Sequence, residues 1–127
     1  MDRLTNLEQA ILTAICSQYP AQKALTQQVA AARVCSRQNT GAGFFTRLEV
    51  DRIMPAVTGC GRALGYIHAE VHGLIYGMGF VLFLRDGYLD CLEGFTDQDS
   101  TEHLDLTSLR PTRIDMLPLA GSKAPPS

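Results

Sequence analysis

The sequence predicts an α+β fold, in which an N-terminal helix packs on an antiparallel meander sheet of about five strands. Three features of the chain support this prediction. Apolar residues recur at helical spacing near the N-terminus, later segments alternate between apolar and polar residues, and an Asp-Gly dipeptide separates two strand-forming runs. We expect a single domain over residues 1–120, with the helix on one face of the sheet.

Composition and charge limit the classes of function. The 127 residues can form one domain, and 46% apolar with 19% charged residues is typical of a globular chain. A formal net charge of −2 disfavours nucleic-acid binding through a broad basic surface. The longest uncharged run, residues 73–84, is too short to span a bilayer. Four cysteines without a CxxC pair, and no signal peptide after Met1, predict a cytoplasmic protein with reduced thiols.

The N-terminal helix is predicted from a one-sided apolar stripe that consists of Leu4, Leu7, Ile11 and Ile15. Thr5-x-x-Glu8 is a capping-box pattern, because the threonine oxygen and the glutamate carboxylate can each accept a hydrogen bond from a free backbone N–H. The helix should end before Pro20, since the residue before proline avoids the α region.

The middle of the chain contains several candidate strands. Residues 28–38 leave a strand and an alanine-favoured helix both open. Residues 44–51 alternate cleanly, as a half-buried antiparallel strand does, and residues 64–71 form a further strand candidate. Leu104, Leu106 and Leu109 predict a short edge strand. The Gly, Ser and Pro content of residues 121–127 predicts a flexible tail.

Asp86-Gly87 predicts a type I′ turn, which sets the pairing of the hairpin over residues 79–96. Counting back from this turn places Leu82 opposite Cys91 and Phe80 opposite Glu93. One face of the hairpin is then the predicted core face, with Glu93 near its edge: Phe80, Leu82, Leu84, Leu89, Cys91 and Phe95. The other face carries Val81, Phe83, Arg85, Tyr88, Asp90 and Leu92.

This second face is too apolar to be ordinary solvent-exposed surface. Aromatic and arginine side chains among aliphatic ones are typical of the core of a protein interface. We therefore predict an interface with another protein, or with a second copy in a homodimer, formed by Val81, Phe83, Arg85, Tyr88, Asp90 and Leu92. The alternative is that residues 104–119 cover this face. The acidic segment over residues 97–105 is either a solvated surface or a contact for a basic partner.

A second kind of site is suggested by His68, Glu70 and His72, which would share one face of a strand. Two imidazoles and a carboxylate suit zinc, although neighbours on one strand face lie about 7 Å apart, which makes joint coordination difficult. Cys60 would be a nucleophile if one of these histidines activated it. Glu93 is a possible buried acid if it lies on the core face; the alternative is that backbone N–H groups at the end of the sheet satisfy it.

Parts of the chain resemble a hairpin pattern of small, uncharacterised bacterial proteins, over roughly the middle half of the sequence. The matching runs are Gly79-Phe80-Val81-Leu82-Phe83, Asp86-Gly87 and Leu92-Glu93-Gly94-Phe95-Thr96, together with Gly43-Phe44-Phe45-Thr46. The resemblance implies a bacterial cytoplasmic setting, in which small single-domain proteins often bind other proteins. No known activity accompanies it, so it assigns no catalytic residue.

The sequence contains no complete catalytic constellation. It therefore predicts a non-enzymatic protein-interaction module, such as an inhibitor, an immunity-type protein or an accessory protein. This module would use the outer face of the 79–96 hairpin, without a cofactor and without nucleic-acid or membrane partners. The alternative function is a small-molecule or zinc-dependent site on the 68–72 strand.

Overall fold

The structure is a computed structural model that describes residues 3–116, so the tail predicted over residues 121–127 lies outside the described residues. Within this range, two helices pack on a six-stranded antiparallel sheet, which confirms the predicted α+β class. The helices are α1 (Asn6–Ser17) and α2 (Lys23–Ala31). The strands are β1 (Arg33–Asn39), β2 (Gly43–Glu49), β3 (Ala63–Val71), β4 (Met78–Arg85), β5 (Tyr88–Phe95) and β6 (Pro111–Met116).

Helix α1 begins and packs as the sequence predicts. The Glu8 amide donates to Thr5 Oγ1 at 3.1 Å, and the Thr5 amide donates to Glu8 Oε1 at 2.8 Å, so both halves of the capping box form. The apolar stripe of α1 is almost completely buried in the core between helix and sheet. This stripe consists of Leu7, Ile11, Leu12 and Ile15.

The ambiguous segment over residues 28–38 contains both a helix and a strand. Helix α2 ends at Ala31, and β1 begins at Arg33 after Ala32 has turned to extended geometry. The helical part buries Leu25, Gln28 and Val29 at helical spacing, which explains why its alanines do not continue into a strand.

The strand order is β1-β2-β5-β4-β3-β6, which differs from the simple meander that we predicted. Strand β2 pairs with β5 because the connection over residues 50–62 carries the chain past β5 and β4 before β3 begins. The predicted edge strand at Leu104–Leu109 is wrong, since these residues form turns. Leu109 is instead buried in the core, and the edge strand is β6, which pairs with β3.

The hairpin register is correct near the turn and wrong beyond it. Asp86 and Gly87 both have positive φ, at 55° and 85°, and Leu84 faces Leu89 as predicted. A β-bulge then adds one residue to β5, because Leu84 pairs with Leu89 whereas Phe83 pairs with Cys91. From this point every side chain of β5 lies on the face opposite to the predicted one.

Because of the bulge, four residues of β5 lie on the face opposite to the one that we predicted. Leu92, which we placed in the outer interface, pairs with Leu82 and is 0% exposed in the core. Cys91, Glu93 and Phe95, which we placed on the core face, lie on the outer face. The core gains from this shift, because Gly94 then lies beneath the Phe44 and Phe80 rings, which pack edge to face with centroids 6.1 Å apart.

Glu8 has a second function besides capping. Its carboxylate is 1% exposed and accepts two hydrogen bonds from Arg37 of β1, at 2.9 and 2.8 Å, and one from the Thr46 hydroxyl of β2, at 2.6 Å. Burial by itself raises the pKa of Glu8, but the hydrogen bonds from Arg37, Thr46 and the Thr5 backbone, with the charge of Arg37, outweigh it and lower that pKa. One carboxylate thus connects α1 to two strands.

We predict that Glu8→Gln lowers the free energy of unfolding by about 2–4 kcal/mol, because it removes the buried negative charge that accepts two hydrogen bonds from the guanidinium of Arg37. Urea denaturation followed by circular dichroism measures this loss. The matched control is Arg47→Met, which breaks the solvent-exposed Arg47–Asp90 pair and should change stability by less than about 1 kcal/mol. Equal effects of the two substitutions would contradict the assignment.

The stability that Glu8 contributes should also depend on pH. Because folding lowers the pKa of Glu8 below its ordinary value of 4.5, this contribution is fully present above that value and is lost as the pH falls through the folded-state pKa. We therefore expect the stability difference between the wild type and Glu8→Gln to shrink in this acidic window. A difference that stays constant throughout it would show that the charge of Glu8 is not its source.

Candidate functional site

The outer face, which we define as the sheet face opposite the two helices, carries cross-strand rows of side chains. At one end, Gly79 pairs with Phe95 on one side and with His68 on the other. In the next row, Glu93 pairs with both Phe45 and Val81. Unlike the helix-covered face, the outer face therefore mixes aromatic, aliphatic and charged side chains.

Large aromatic side chains are exposed at this end of the sheet. The exposed fractions are 38% for Phe45, 42% for Tyr66 and 43% for Phe95. Tyr76, in the connection between β3 and β4, is 57% exposed next to them. Four exposed aromatic side chains thus lie in one region, which the sequence analysis did not locate.

The six residues of the predicted interface do not all lie on one accessible surface. Val81 and Phe83 lie on the outer face, where Val81 is buried and Phe83 is half-buried. Arg85 and Asp90 lie near the hairpin turn, and the distance from Arg85 Nη2 to Asp90 Oδ2 is 3.9 Å. Leu92 belongs to the core.

Tyr88, the remaining member of that set, holds a neighbouring loop. Its hydroxyl lies 2.9 Å from the Arg52 carbonyl oxygen and 2.8 Å from that of Met54, as a donor in either case. The Arg52 guanidinium lies 4.4 Å from the centroid of its ring. These contacts give Tyr88 a structural task that is independent of any partner.

The predicted metal ligands do not form a joint site, because His68 and Glu70 belong to β3 whereas His72 lies in the turn that follows the strand. His68 Nε2 lies 3.0 Å from the Tyr76 carbonyl oxygen, to which it must donate, while Glu70 and His72 are exposed. Within residues 3–116, no three His, Cys, Asp or Glu side chains are grouped so that they could hold a metal ion. The structure therefore adds no support for zinc at this strand.

The surroundings of two further candidate residues, Cys60 and Glu93, also differ from those that we predicted. Cys60 is partly buried against the core, and this burial raises the pKa of its thiol, which lowers the fraction of reactive thiolate at neutral pH. Glu93 lies half-buried on the outer face between Phe45 and Val81. Neither residue therefore has the environment that the sequence analysis proposed for it.

A small cavity opens at the aromatic end of the outer face, and we call it the aromatic pocket. It has a volume of about 160 Å³. Its lining residues are Tyr66, Ile67, His68, Tyr76, Gly77, Gly79, Phe80, Phe95 and Asp97. Aromatic residues and glycines thus make up most of its lining, with Asp97 as the single acidic residue among them.

Local backbone features create this pocket. An irregularity in β3 between Leu64 and Ile67 turns Tyr66 outward. The absence of side chains at Gly77 and Gly79 leaves room, since a Cβ at Gly79 would lie 2.4 Å from the Phe95 ring. The connection that carries Tyr76 is held at its backbone, because the Asp99 carboxylate accepts hydrogen bonds from the Ile75 and Tyr76 amides.

The sequence contained one signal that could have located the pocket. Gly77 and Gly79 are two residues apart at the start of a strand, and glycine at such positions often marks the close approach of another group. The Phe and Tyr residues of the pocket, however, come from positions 66, 76, 80 and 95, and only the fold brings them together.

Comparison of the chain with protein-family models, with curated proteins and with solved structures gave no match. Neither helix of the described range has the length and apolar character that crossing a membrane requires. The functional argument therefore depends on the geometry of the outer face.

The two glycines of the pocket should respond differently to alanine. At Gly77, a Cβ would lie 2.4 Å from the Ala69 carbonyl oxygen, and φ is 75°, so we expect Gly77→Ala to destabilise the fold by about 2–4 kcal/mol. At Gly79, the three atoms nearest to the Cβ all belong to the exposed Phe95 ring, which can swing away, so we expect Gly79→Ala to lower stability by about 1 kcal/mol or less.

Urea denaturation ranks the two glycine variants, and NMR reports whether the Phe95 ring moves in Gly79→Ala. A Gly79→Ala variant as unstable as Gly77→Ala would show that the Phe95 ring cannot leave its position over the glycine.

Proposed function

We propose that this protein is a non-enzymatic interaction module that binds a partner protein through the outer face of its sheet. The observation that carries this proposal is the exposure of Phe45, Tyr66 and Phe95 on one face, next to the half-buried Phe83. Exposed aromatic side chains supply much of the binding energy in protein interfaces, because they bury a large area at a small entropic cost.

The charges around these aromatic residues favour a partner segment that carries basic and apolar side chains. Glu93 lies between Phe45 and Val81, and Asp97 and Glu102 follow on the adjoining segment. At the opposite end of the outer face, Arg47 and Arg85 both lie within 4 Å of Asp90, which partly offsets their charge. The acidic residues at the aromatic end are therefore suited to attract basic groups of a partner.

A second copy of the chain is the alternative occupant of this face. A two-fold interface must be self-complementary, so the acidic aromatic end of one copy would have to meet the Arg47 and Arg85 end of its partner. Size measurement distinguishes a homodimer from a basic partner protein, which is the occupant that we propose.

The cytoplasmic and bacterial setting is part of the same proposal. Cys16, Cys35, Cys60 and Cys91 are all free thiols in the structure. Free thiols suit a reducing compartment, which supports the cytoplasmic part of this proposal.

The second candidate function is binding of a small molecule, and the aromatic pocket favours it. His68, the first residue of the 68–72 strand that we considered for such a site, lines this pocket. Glu70 and His72 do not line it.

We predict that Phe45→Thr lowers retention of the partner at least about tenfold, because the loss of an aromatic hot-spot residue typically weakens binding by this amount. Threonine preserves the strand, so the fold should remain. The measurement is affinity capture from a bacterial lysate with quantitative mass spectrometry, followed by binding of the purified partner.

The matched control is Ile53→Thr, which removes an exposed apolar side chain from the loop before β3 and should leave retention unchanged. Light scattering after size exclusion shows whether the retained partner is a second copy. Equal retention by the wild type and both variants, or a partner whose contact segment is acidic, would overturn the proposal.

A further inference from the structure

We infer that the aromatic pocket binds an organic ammonium group, of the alkylammonium or quaternary ammonium class. The inference deepens the proposed function and rests on it for the expected source of the cation, a basic side chain of the partner. The pocket itself is defined by Tyr66, Tyr76, Phe95, His68 and Asp97, with glycine backbone between them.

The aromatic walls are the first argument. Tyr66, Tyr76 and Phe95 come from β3, the β3–β4 connection and β5, and all three line one cavity while remaining about half exposed. The negative faces of such rings attract cations, and groups of aromatic rings are the usual recognition element for quaternary ammonium ions.

The second argument is the state of Asp97. Its neighbour Asp99 already has hydrogen-bond partners, since its carboxylate accepts hydrogen bonds from two backbone amides. Within residues 3–116, Asp97 forms no ion pair, and no lysine or arginine lines the pocket. An acidic residue that lacks a counter-charge, at the edge of an apolar cavity, favours a cation over an anion as the occupant.

The chemistry of the walls selects the kind of cation. One carboxylate among aromatic rings does not supply the six or more oxygen ligands that calcium takes. An alkylated ammonium group carries its charge on a largely apolar surface, so both the rings and the carboxylate can stabilise it.

The size of the cavity is the third argument. A volume of about 160 Å³ corresponds to about five water molecules and is smaller than the roughly 300–1,000 Å³ of pockets for drug-sized ligands. It suits the head group of a longer molecule, such as the end of a lysine side chain or the trimethylammonium group of choline.

The position of His68 completes the site. Because a carbonyl oxygen only accepts, the 3.0 Å contact with Tyr76 requires that His68 Nε2 carries a proton. This hydrogen bond joins β3 to the connection that bears Tyr76, and it holds one aromatic wall against another. The pocket is thus formed before a ligand arrives, which reduces the entropic cost of binding.

The test is an NMR titration of the full chain with choline and with neohexyl alcohol, its uncharged carbon isostere. We expect choline to shift the resonances of Tyr66, His68, Tyr76 and Phe95 saturably and to bind at least about fivefold more tightly than the alcohol. Equal binding of both compounds, or no saturable shift with choline, would overturn the inference.

Three variants assign the binding to the proposed groups. Tyr76→Leu and Asp97→Asn should each weaken choline binding about two- to fivefold, by removing a ring and a charge respectively. The matched control, Asp86→Asn, removes the same charge at the hairpin turn at the other end of β4 and should have no effect. If Asp86→Asn and Asp97→Asn weakened choline binding equally, the effect would come from net charge, and this result would contradict a specific site at the pocket.

A further comparison identifies the source of the cation. Tighter binding of a trimethyl-lysine or lysine peptide than of choline supports a protein side chain, and the reverse order supports a free small molecule; both outcomes support the ammonium site.

Phe45 does not line the pocket, so Phe45→Thr should still bind choline. If Phe45→Thr lost the partner but the wild type did not bind choline, only this inference would be overturned. If the wild type bound choline but Phe45→Thr retained the partner unchanged, only the proposed function would be overturned.

Discussion

The buried carboxylate of Glu8 constrains the rest of the structure. A charge that is 1% exposed is tolerated only if donors surround it, and here the donors come from the N-cap, from Arg37 of β1 and from Thr46 of β2. Helix α1 therefore has one position over the sheet in which this charge is satisfied. In that position its apolar stripe covers the sheet, and the helix-facing side becomes the core.

Gln28 fixes the second helix by the same principle. Its fully buried amide donates to the carbonyl oxygens of Pro55 and Gly87, at 2.8 and 3.0 Å, and accepts from the Leu89 amide at 3.0 Å. One side chain thus satisfies backbone groups of the loop before β3 and of the hairpin turn. Because both helices pack on one side of the sheet, they leave the outer face uncovered.

The parts of this structure that sequence predicted correctly are those in which the cause is local. The capping box needs Thr5 and Glu8 three residues apart, and the I′ turn needs only Asp86-Gly87. The Arg37–Glu8 pair, the bulge at Asp90 and the aromatic pocket each join distant segments. No periodic pattern in one segment could reveal them. The predicted outward position of Leu92 is wrong because one inserted residue exchanges the two faces of the strand beyond it.

The same bulge connects the packing of the core to the candidate function. Had the register continued from the turn without it, Cys91 and Glu93 would lie on the core face and Leu92 would lie outside. The bulge instead places Leu92 and Gly94 beneath the helices, and strand alternation then requires that Glu93 and Phe95 face outward. Phe95 covers Gly79 and becomes one wall of the pocket. The aromatic and acidic character of the outer face is therefore a direct consequence of how the core is packed.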